Sequence, residues 1–328
     1  MLRIHFTATD LANTRLAPQP DPLWEAALSM HYLRSRDTPL MLAPWRAAVV
    51  HAIRRNPAFQ DDLQPLFMMN PPLGYFPDFL TPAQSREGFE AGLEAVLSTP
   101  SAQLRREVSL VTVPSRRRSA VDGLYHGELT ALHRLERGFR LYRAVALDFH
   151  WAEIAAAFDA DRSVRVRQLV DEGIGAMLSG LHPTAYFRDG VLHIGSWGMD
   201  SDRDIHLGGR GLTVIPCYFK RASQLMVLAD SNLPPVLVYP LDHTSRLRAA
   251  AQHAPLAALL GATRAGVLAS AASLTTTEIA LRLRISVPAA SRHLAILRDA
   301  GLVASVRHRN SVIHTQTPAG LVLLEGPG

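Results

Sequence analysis

Residues Ser286 to Leu302 constrain the fold most, because every local signal in them points to one short, capped helix. Ser286 suits the N-cap, where its hydroxyl can accept a hydrogen bond from a free backbone N–H of the first turn. Pro288 follows within that turn, where a missing N–H costs nothing. Val287, Ala290, Leu294 and Leu297 recur at helical spacing and form an apolar face, and Pro288, Ala289, Ser291, Arg292 and Ile296 fall outside it. Gly301 is placed to end the helix in the left-handed region.

The flanks extend this pattern. Thr275 and Glu278 have the spacing of a capping box ahead of an apolar-periodic run, which predicts a second helix with Leu283 and Ile285 facing the core. The link 284–286 is long enough only for a tight turn, and two short helices so joined are a helix-turn-helix. Beyond Gly301, residues Leu302 to Val306 read as a strand, Arg307, His308, Arg309 and Asn310 as a basic tip, and Ser311 to Gln316 as a return strand. Helix, turn, recognition helix and basic hairpin predict a winged helix.

This stretch resembles the winged-helix domain of the ArsR-type bacterial transcription regulators. The carrying residues are Ser286, Ser291, Arg292, His293, Leu294, Leu297, Ala300, Gly301 and Leu302, and MarR-like and other regulators share much of the pattern. The resemblance covers roughly the last quarter of the chain and implies a double-stranded DNA partner. Metal-sensing members carry a Cys-rich segment near the recognition helix or the termini. The single cysteine here, Cys217, lies far from both, so thiolate metal sensing is not implied. The long N-terminal region resembles the extension of a group of actinobacterial regulators, a resemblance that implies no activity.

The residues expected at DNA follow from position and chemistry. Arg292 can reach guanine O6 and N7, and Ser291 can donate to a base edge or phosphate. Ser286, Pro288 and Ala289 are small enough for close approach, and Thr276, His293 and Arg298 flank them. Arg307, Arg309 and Asn310 at the hairpin tip suit phosphates or the adjacent minor groove. A buried helical hairpin with a solvated turn is the plain alternative. The order of caps, turn, glycine stop and basic hairpin argues against it.

Composition sets the remaining bounds. A chain of 328 residues, 48% hydrophobic and 19% charged, is long enough for two domains with substantial cores. The formal charge of +5 fits a nucleic-acid partner. From Pro255 onward Arg264, Arg282, Arg284, Arg292, Arg298, Arg307 and Arg309 face only Glu278, Asp299 and Glu325. One cysteine leaves no intramolecular disulfide and fits a reducing compartment. No signal-like apolar region opens the chain, and no apolar run reaches the roughly 18 residues of a membrane span. The expectation is a cytoplasmic protein without a membrane partner.

Upstream, a strand is expected over Leu2 to Thr7 and a prolyl loop at Pro18, Pro20 and Pro22. Helices are expected over Trp24 to Arg34, with Leu28 and Tyr32 on one face beside Trp24, from Pro44 to the break at Pro57, and over Asp61 to Met69. Thr81 with Pro82 should start another to about Leu97, and Val108 to Val113 read as extended. Two or three helices are expected between Val121 and Ser179, one containing Ala144 to Phe158 and the last capped by Ser163. Asp189 and Gly190 then mark a hairpin between Ala185 to Arg188 and Val191 to Ile194. Further short strands are read at Leu212 to Tyr218, Leu225 to Ala229 and Val236 to Tyr239, followed by a linker around Asp242 to Ala254.

No catalytic constellation is visible, and no cofactor is implied. The fourteen histidines include His126 and His133 near Glu128, but without metal-ligand spacing. Gly208 to Gly211 lacks the Lys-Ser/Thr of a phosphate loop and reads as a turn. Cys217 sits in an apolar run and reads as a buried thiol. Trp24, Tyr32, Trp45, Phe67, Tyr75 and Phe76 read mainly as core. They are also the candidate lining of a small-molecule pocket, since such pockets are mostly apolar.

The expected fold is α+β, mainly α: a helical domain with a small β region over residues 1–245, then a winged helix-turn-helix over 246–328. The expected protein is a homodimeric regulator, most simply a repressor, whose N-terminal domain senses an effector or joins protomers. An enzyme with a DNA-binding tail and a ligand-free assembly protein are the two alternatives.

Overall fold

The computed structural model describes all residues except 36–37, 115–117, 196–201, 223–224, 229–234, 242–255, 284, 309–310 and 326–328. Its contacts divide the chain into two compact units, Met1–Leu241 and Asp242–Gly328. The expected linker lies outside the described residues.

The first unit is built around one helix, which Asp21 starts. The Asp21 carboxylate accepts from the backbone N–H groups of Leu23 (3.1 Å) and Trp24 (3.2 Å), and Pro22 occupies the first turn. The helix that follows, α2 (Pro22–Arg34), comes after α1 (Ala8–Asn13) and is buried from Pro22 to Tyr32 without a break. A helix buried on all sides has no amphipathic stripe. The expected single face of Trp24, Leu28 and Tyr32 is therefore too narrow, because Glu25, Ser29 and His31 are buried as well. Each of these polar groups has a partner. Ser29 Oγ meets the Tyr142 hydroxyl at 2.9 Å, and His31 Nε2 meets Asn70 Oδ1 at 2.8 Å. Burial pushes the His31 imidazole down to about 4.

Around α2 pack α3 (Ala43–Arg55), α4 (Pro57–Met69), α5 (Phe89–Leu97), α6 (Ser101–Leu110), α7 (Ser119–His126) and α8 (Leu129–Tyr142). Arg34 donates to the carbonyls of Phe67 (2.7 Å) and Asn70 (2.8 Å), closing the end of α4. A π-turn (Arg143–Leu147) and a short 3-10 turn (Asp148–His150) lead into α9 (Trp151–Asp171), followed by α10 (Ile174–Ser179).

Two four-stranded sheets complete the unit. In the first, β1 (Leu2–His5) pairs antiparallel with β4 (Val191–Ile194) and parallel with β5 (Arg203–His206), and β3 (Ala185–Arg188) closes a hairpin on β4. Asp189 and Gly190 both have positive φ (50° and 76°), as the tight turn of that hairpin requires. In the second sheet, β2 (Arg15–Leu16), β6 (Thr213–Cys217) and β8 (Val236–Pro240) run parallel, and β7 (Met226–Leu228) lies antiparallel on β8. Every residue of β6 is buried. Its side chains alternate between two cores: Val214 packs with Leu2, Ile4 and Leu237, whereas Ile215 and Cys217 join the helical core with Trp24 and Trp45.

Glu25 ties α2 to this sheet. Its carboxylate accepts from the N–H groups of Tyr218 (2.8 Å) and Phe219 (3.1 Å) and from Cys217 Sγ (3.1 Å). Burial outweighs those bonds and raises Glu25 to about 7, and it likewise raises Asp21 to about 6. Cys217 is fully buried, and burial pushes its thiol up.

Several sequence expectations for this unit are corrected. The stretch from Thr81 to Leu97 is not one helix but a 3-10 turn, Ala83–Glu87, and then α5, with a further 3-10 turn, Asp78–Leu80, just before it. Gly88, between the Ala83–Glu87 turn and α5, has φ +143°, outside helical backbone. Val108 is helical in α6 rather than extended, because Leu104 and Val108 bury one face at helical spacing. Ala144 to Phe158 is broken by the π and 3-10 turns. Ser163 lies inside α9, where its hydroxyl donates to the Asp159 carbonyl (2.8 Å) rather than capping. The helix expected from Asp61 begins at Pro57.

The second unit contains α11 (residues 256–260), α12 (Ala262–Ser270), β9 (Ala272–Thr275), α13 (Thr276–Leu283), α14 (Val287–Asp299), β10 (Val303–His308), β11 (Ser311–Gln316) and α15 (Pro318–Glu325). The strands form an antiparallel sheet in the order β10-β11-β9. Its core joins Val267, Leu268, Ile279, Leu294, Leu297 and Val303, with Leu283 and Ile285 packed against it. The chain as a whole is α+β and mainly α.

Candidate nucleic-acid interface

Three local devices set the helix-turn-helix. In the first, the N–H of Thr275 donates to Glu278 Oε2 (2.7 Å) and the N–H of Glu278 donates back to Thr275 Oγ1 (3.4 Å), a reciprocal capping box opening α13. In the second, Ser286 Oγ accepts from the Ala289 N–H (3.3 Å) and starts α14. In the third, Gly301, at φ +71°, donates to the Arg298 carbonyl (2.9 Å), and Leu302 donates to that of Leu297 (2.8 Å). These two bonds are a Schellman stop.

Within α14, Ala290, Leu294 and Leu297 turn inward, and Ser291, Arg292, Ile296 and Arg298 are exposed. Val287, expected on the inner face, is instead 45% exposed, because it sits in the first turn beyond the reach of the core. Pro288 and Ser286 are exposed beside it, and Ala289 is half-buried. Among the described residues no carboxylate pairs with Arg292 or Arg307, whereas Arg298 lies 3.7 Å from Asp299. The exposed side of α14 therefore presents the Arg292 guanidinium close to Ser291, Pro288 and Ile296, with Arg298 exposed further along the helix. Arg307 is exposed on β10. Arg309 and Asn310, expected at the hairpin tip, lie outside the described residues.

Thr276 and His293 are less open than the sequence reading placed them. The Thr276 hydroxyl is held by His314 Nε2 (2.9 Å), and His314 Nδ1 meets Ser305 Oγ (2.8 Å). His314 is 5% exposed, and burial, with Arg298 nearby, lowers its imidazole from the ordinary value. This buried histidine ties the start of α13 to both wing strands. His293 is half-buried, and its Nδ1 is enclosed without a partner among the described residues, which makes it a packing residue of α14.

Residues 267–305 match the model of the bacterial regulatory protein, arsR family. The chain carries an ArsR-type helix-turn-helix domain. The match runs from α12 through α13 and α14 into β10, so it covers the elements that hold Ser291 and Arg292. This ArsR-type domain is a DNA-binding, transcription-regulator domain. Comparison with curated proteins and with solved structures finds no match.

The first unit does not gather its six candidate aromatics around one cavity. Trp24 stacks on Phe76 at 5.3 Å, and Trp45 donates from Nε1 to the Ala146 carbonyl (2.7 Å) and packs on Phe219. Phe67 meets Tyr142 edge-on, the Arg221 guanidinium lies over the Tyr32 ring, and Tyr75 packs half-buried on the same core. Trp24 lines a cavity of about 440 Å³ and Phe67 a different one of about 540 Å³. Among the described residues no cluster of His, Cys, Asp or Glu is placed to hold a metal ion, and no helix is long and apolar enough to cross a membrane.

Proposed function

We propose that the chain is a transcription repressor that binds a pseudo-palindromic operator as a homodimer, with the first unit joining protomers and responding to a small-molecule effector. The observation that carries the DNA contact is the outer face of α14, where exposed Arg292 and Ser291 stand among small residues on a helix fixed at both ends. In this reading Arg292 reads guanine in the major groove, and Ser291 donates to a base edge or phosphate. Ser286, Pro288 and Ala289 let the helix approach closely. Arg298 and Arg307 contact phosphates, and Arg309 and Asn310 contact phosphates or the adjacent minor groove. Thr276 and His293 support the helices behind that face.

One winged helix reads only a few base pairs, and two related by a two-fold axis read a palindrome. The test is light scattering of the full chain, free and with DNA selected from a random library. A dimer that binds one duplex is expected. A monomer that binds the selected duplex tightly and specifically overturns the dimeric reading.

A further inference from the structure

Lys220 is the only lysine of the chain, and it stands in the turn that leaves β6. The Lys220 N–H donates to the Cys217 carbonyl (3.3 Å), and the Ala222 carbonyl meets His182 Nε2 (2.8 Å), so the turn is fixed on both sides of the side chain. That side chain is 6% exposed, yet its ammonium makes no hydrogen bond and no ion pair among the described residues. A buried ammonium is unfavourable unless it is paired. The enclosed side-chain atoms without a partner among the described residues are Thr81 Oγ1, His193 Nδ1, Arg264 Nε and His293 Nδ1. Lys220 Nζ is none of these, so a narrow opening reaches it.

The surrounding groups do not answer this charge. Glu25 gives its carboxylate oxygens to the N–H groups of Tyr218 and Phe219 and to Cys217 Sγ. Burial lowers Lys220 to about 8; the Cys217 thiol opposes that shift, the Arg221 guanidinium adds to it, and no carboxylate takes part. Arg221 is half-buried, lies 5.4 Å over the Tyr32 ring, and likewise makes no hydrogen bond or ion pair among the described residues. A cation held by a ring face keeps its N–H donors for another acceptor. Both charges reach His31, where their repulsion adds to burial in lowering the imidazole to about 4. Cations are favourable at the C-terminal end of a helix such as α2. Arg46 already fills that role, donating to the carbonyls of Tyr32 (2.9 Å), Leu33 (3.4 Å) and Ser35 (3.4 Å), and Lys220 donates to none of them.

We propose that Lys220 and Arg221 form a binding site for a phosphate group, either the free ion or the terminal group of a small ester. Their unspent ammonium and guanidinium donors match an ion with several acceptor oxygens better than a carboxylate with two. The burial of Lys220 keeps a nucleic-acid backbone away from its ammonium, so the ligand is a small molecule. The site is independent of the DNA-binding reading, because none of its residues belongs to α14 or the wing.

The test is calorimetric titration of the full chain, at constant ionic strength, with inorganic phosphate, glycerol 3-phosphate and acetate. The expected result is one saturable phosphate site per chain, with acetate weaker by about tenfold or more. Glycerol 3-phosphate binding at that site makes the ester a ligand as well, and its failure to bind leaves the free ion. Lys220→Met should weaken phosphate binding by about tenfold or more. It should also raise the melting temperature without phosphate, since it removes an unpaired buried charge, and abolish the rise that phosphate gives the wild type. Arg221→Gln, at a half-buried position, should weaken phosphate similarly, and it decides the matter if Lys220→Met fails to fold. One further measurement needs no variant. Acetylation by acetic anhydride, read by mass spectrometry at the single lysine, should slow by about tenfold in saturating phosphate. Absence of a saturable phosphate site, acetate binding as tightly as phosphate, or phosphate affinity unchanged in the variants overturns the proposal. So does a rate of Lys220 acetylation that phosphate leaves unaltered.

Discussion

At the scale of single residues, the proposed reading gives Arg292 and Arg307 different parts in binding. Arg292 projects from the outer face of α14 and Arg307 from the wing strand β10, both exposed. Arg292→Ala should cost about 1–3 kcal/mol on selected DNA and much less on random DNA. Arg307→Ala should weaken both similarly and lower the salt slope by about one unit. Neither change should move the melting temperature, because exposed charges contribute little to stability. Salt titrations on both DNAs decide it, and equal losses for Arg292→Ala would make Arg292 a phosphate contact. Buried Glu25 makes a second residue-scale prediction. Its folded value of about 7 lies above the ordinary 4.5, so the folded state holds the proton more tightly. The stability it contributes is full below about pH 4.5 and is lost as pH rises through about 7, a swing on the order of 3 kcal/mol. Asp21 acts with the same sign, and His31, lowered to about 4 from 6.5, acts in the opposite sense. The difference between wild type and Glu25→Gln isolates the Glu25 part. The variant should gain in melting temperature relative to wild type between pH 4.5 and 7, and a difference independent of pH would refute the assignment.

At the scale of elements, α15 is docked more tightly than its short sequence suggests. A Cβ built on Gly320 would lie 2.2 Å from the Leu302 carbonyl oxygen, which belongs to backbone and cannot swing aside. Gly320→Ala should therefore cost roughly 1–3 kcal/mol and raise hydrogen exchange in α15 and β10. Unchanged exchange would show that the contact is loose. What was legible in the sequence follows the range of the signals. The caps at Thr275, Glu278 and Ser286 and the stop at Gly301 act within a few residues, so α13, α14 and the turn between them could be read directly. The cluster of Thr276, Ser305 and His314 could not, because it joins three segments that only the sheet brings together. The burial of Asp21 and Glu25 carries no local signal, because only the surrounding helices and β6 bury them. The cavity beside Trp24 was invisible for the same reason, since Thr81, Ile215 and Leu228 are far apart in the chain.

At the scale of the whole molecule, each unit has its own core, and the ArsR-type match falls in the second. A regulator of this kind needs the first unit to bias DNA binding, and a ligand does so only if it binds one dimer arrangement better than another. The central claim, that two copies of α14 read DNA in a symmetric dimer, is tested most directly by a hydroxyl-radical footprint of the full chain on DNA selected from a random library. The account predicts two protected tracts related by a dyad, with centres about 10–10.5 base pairs apart or a multiple of that. A single protected tract, or a selection that enriches no sequence, would contradict it.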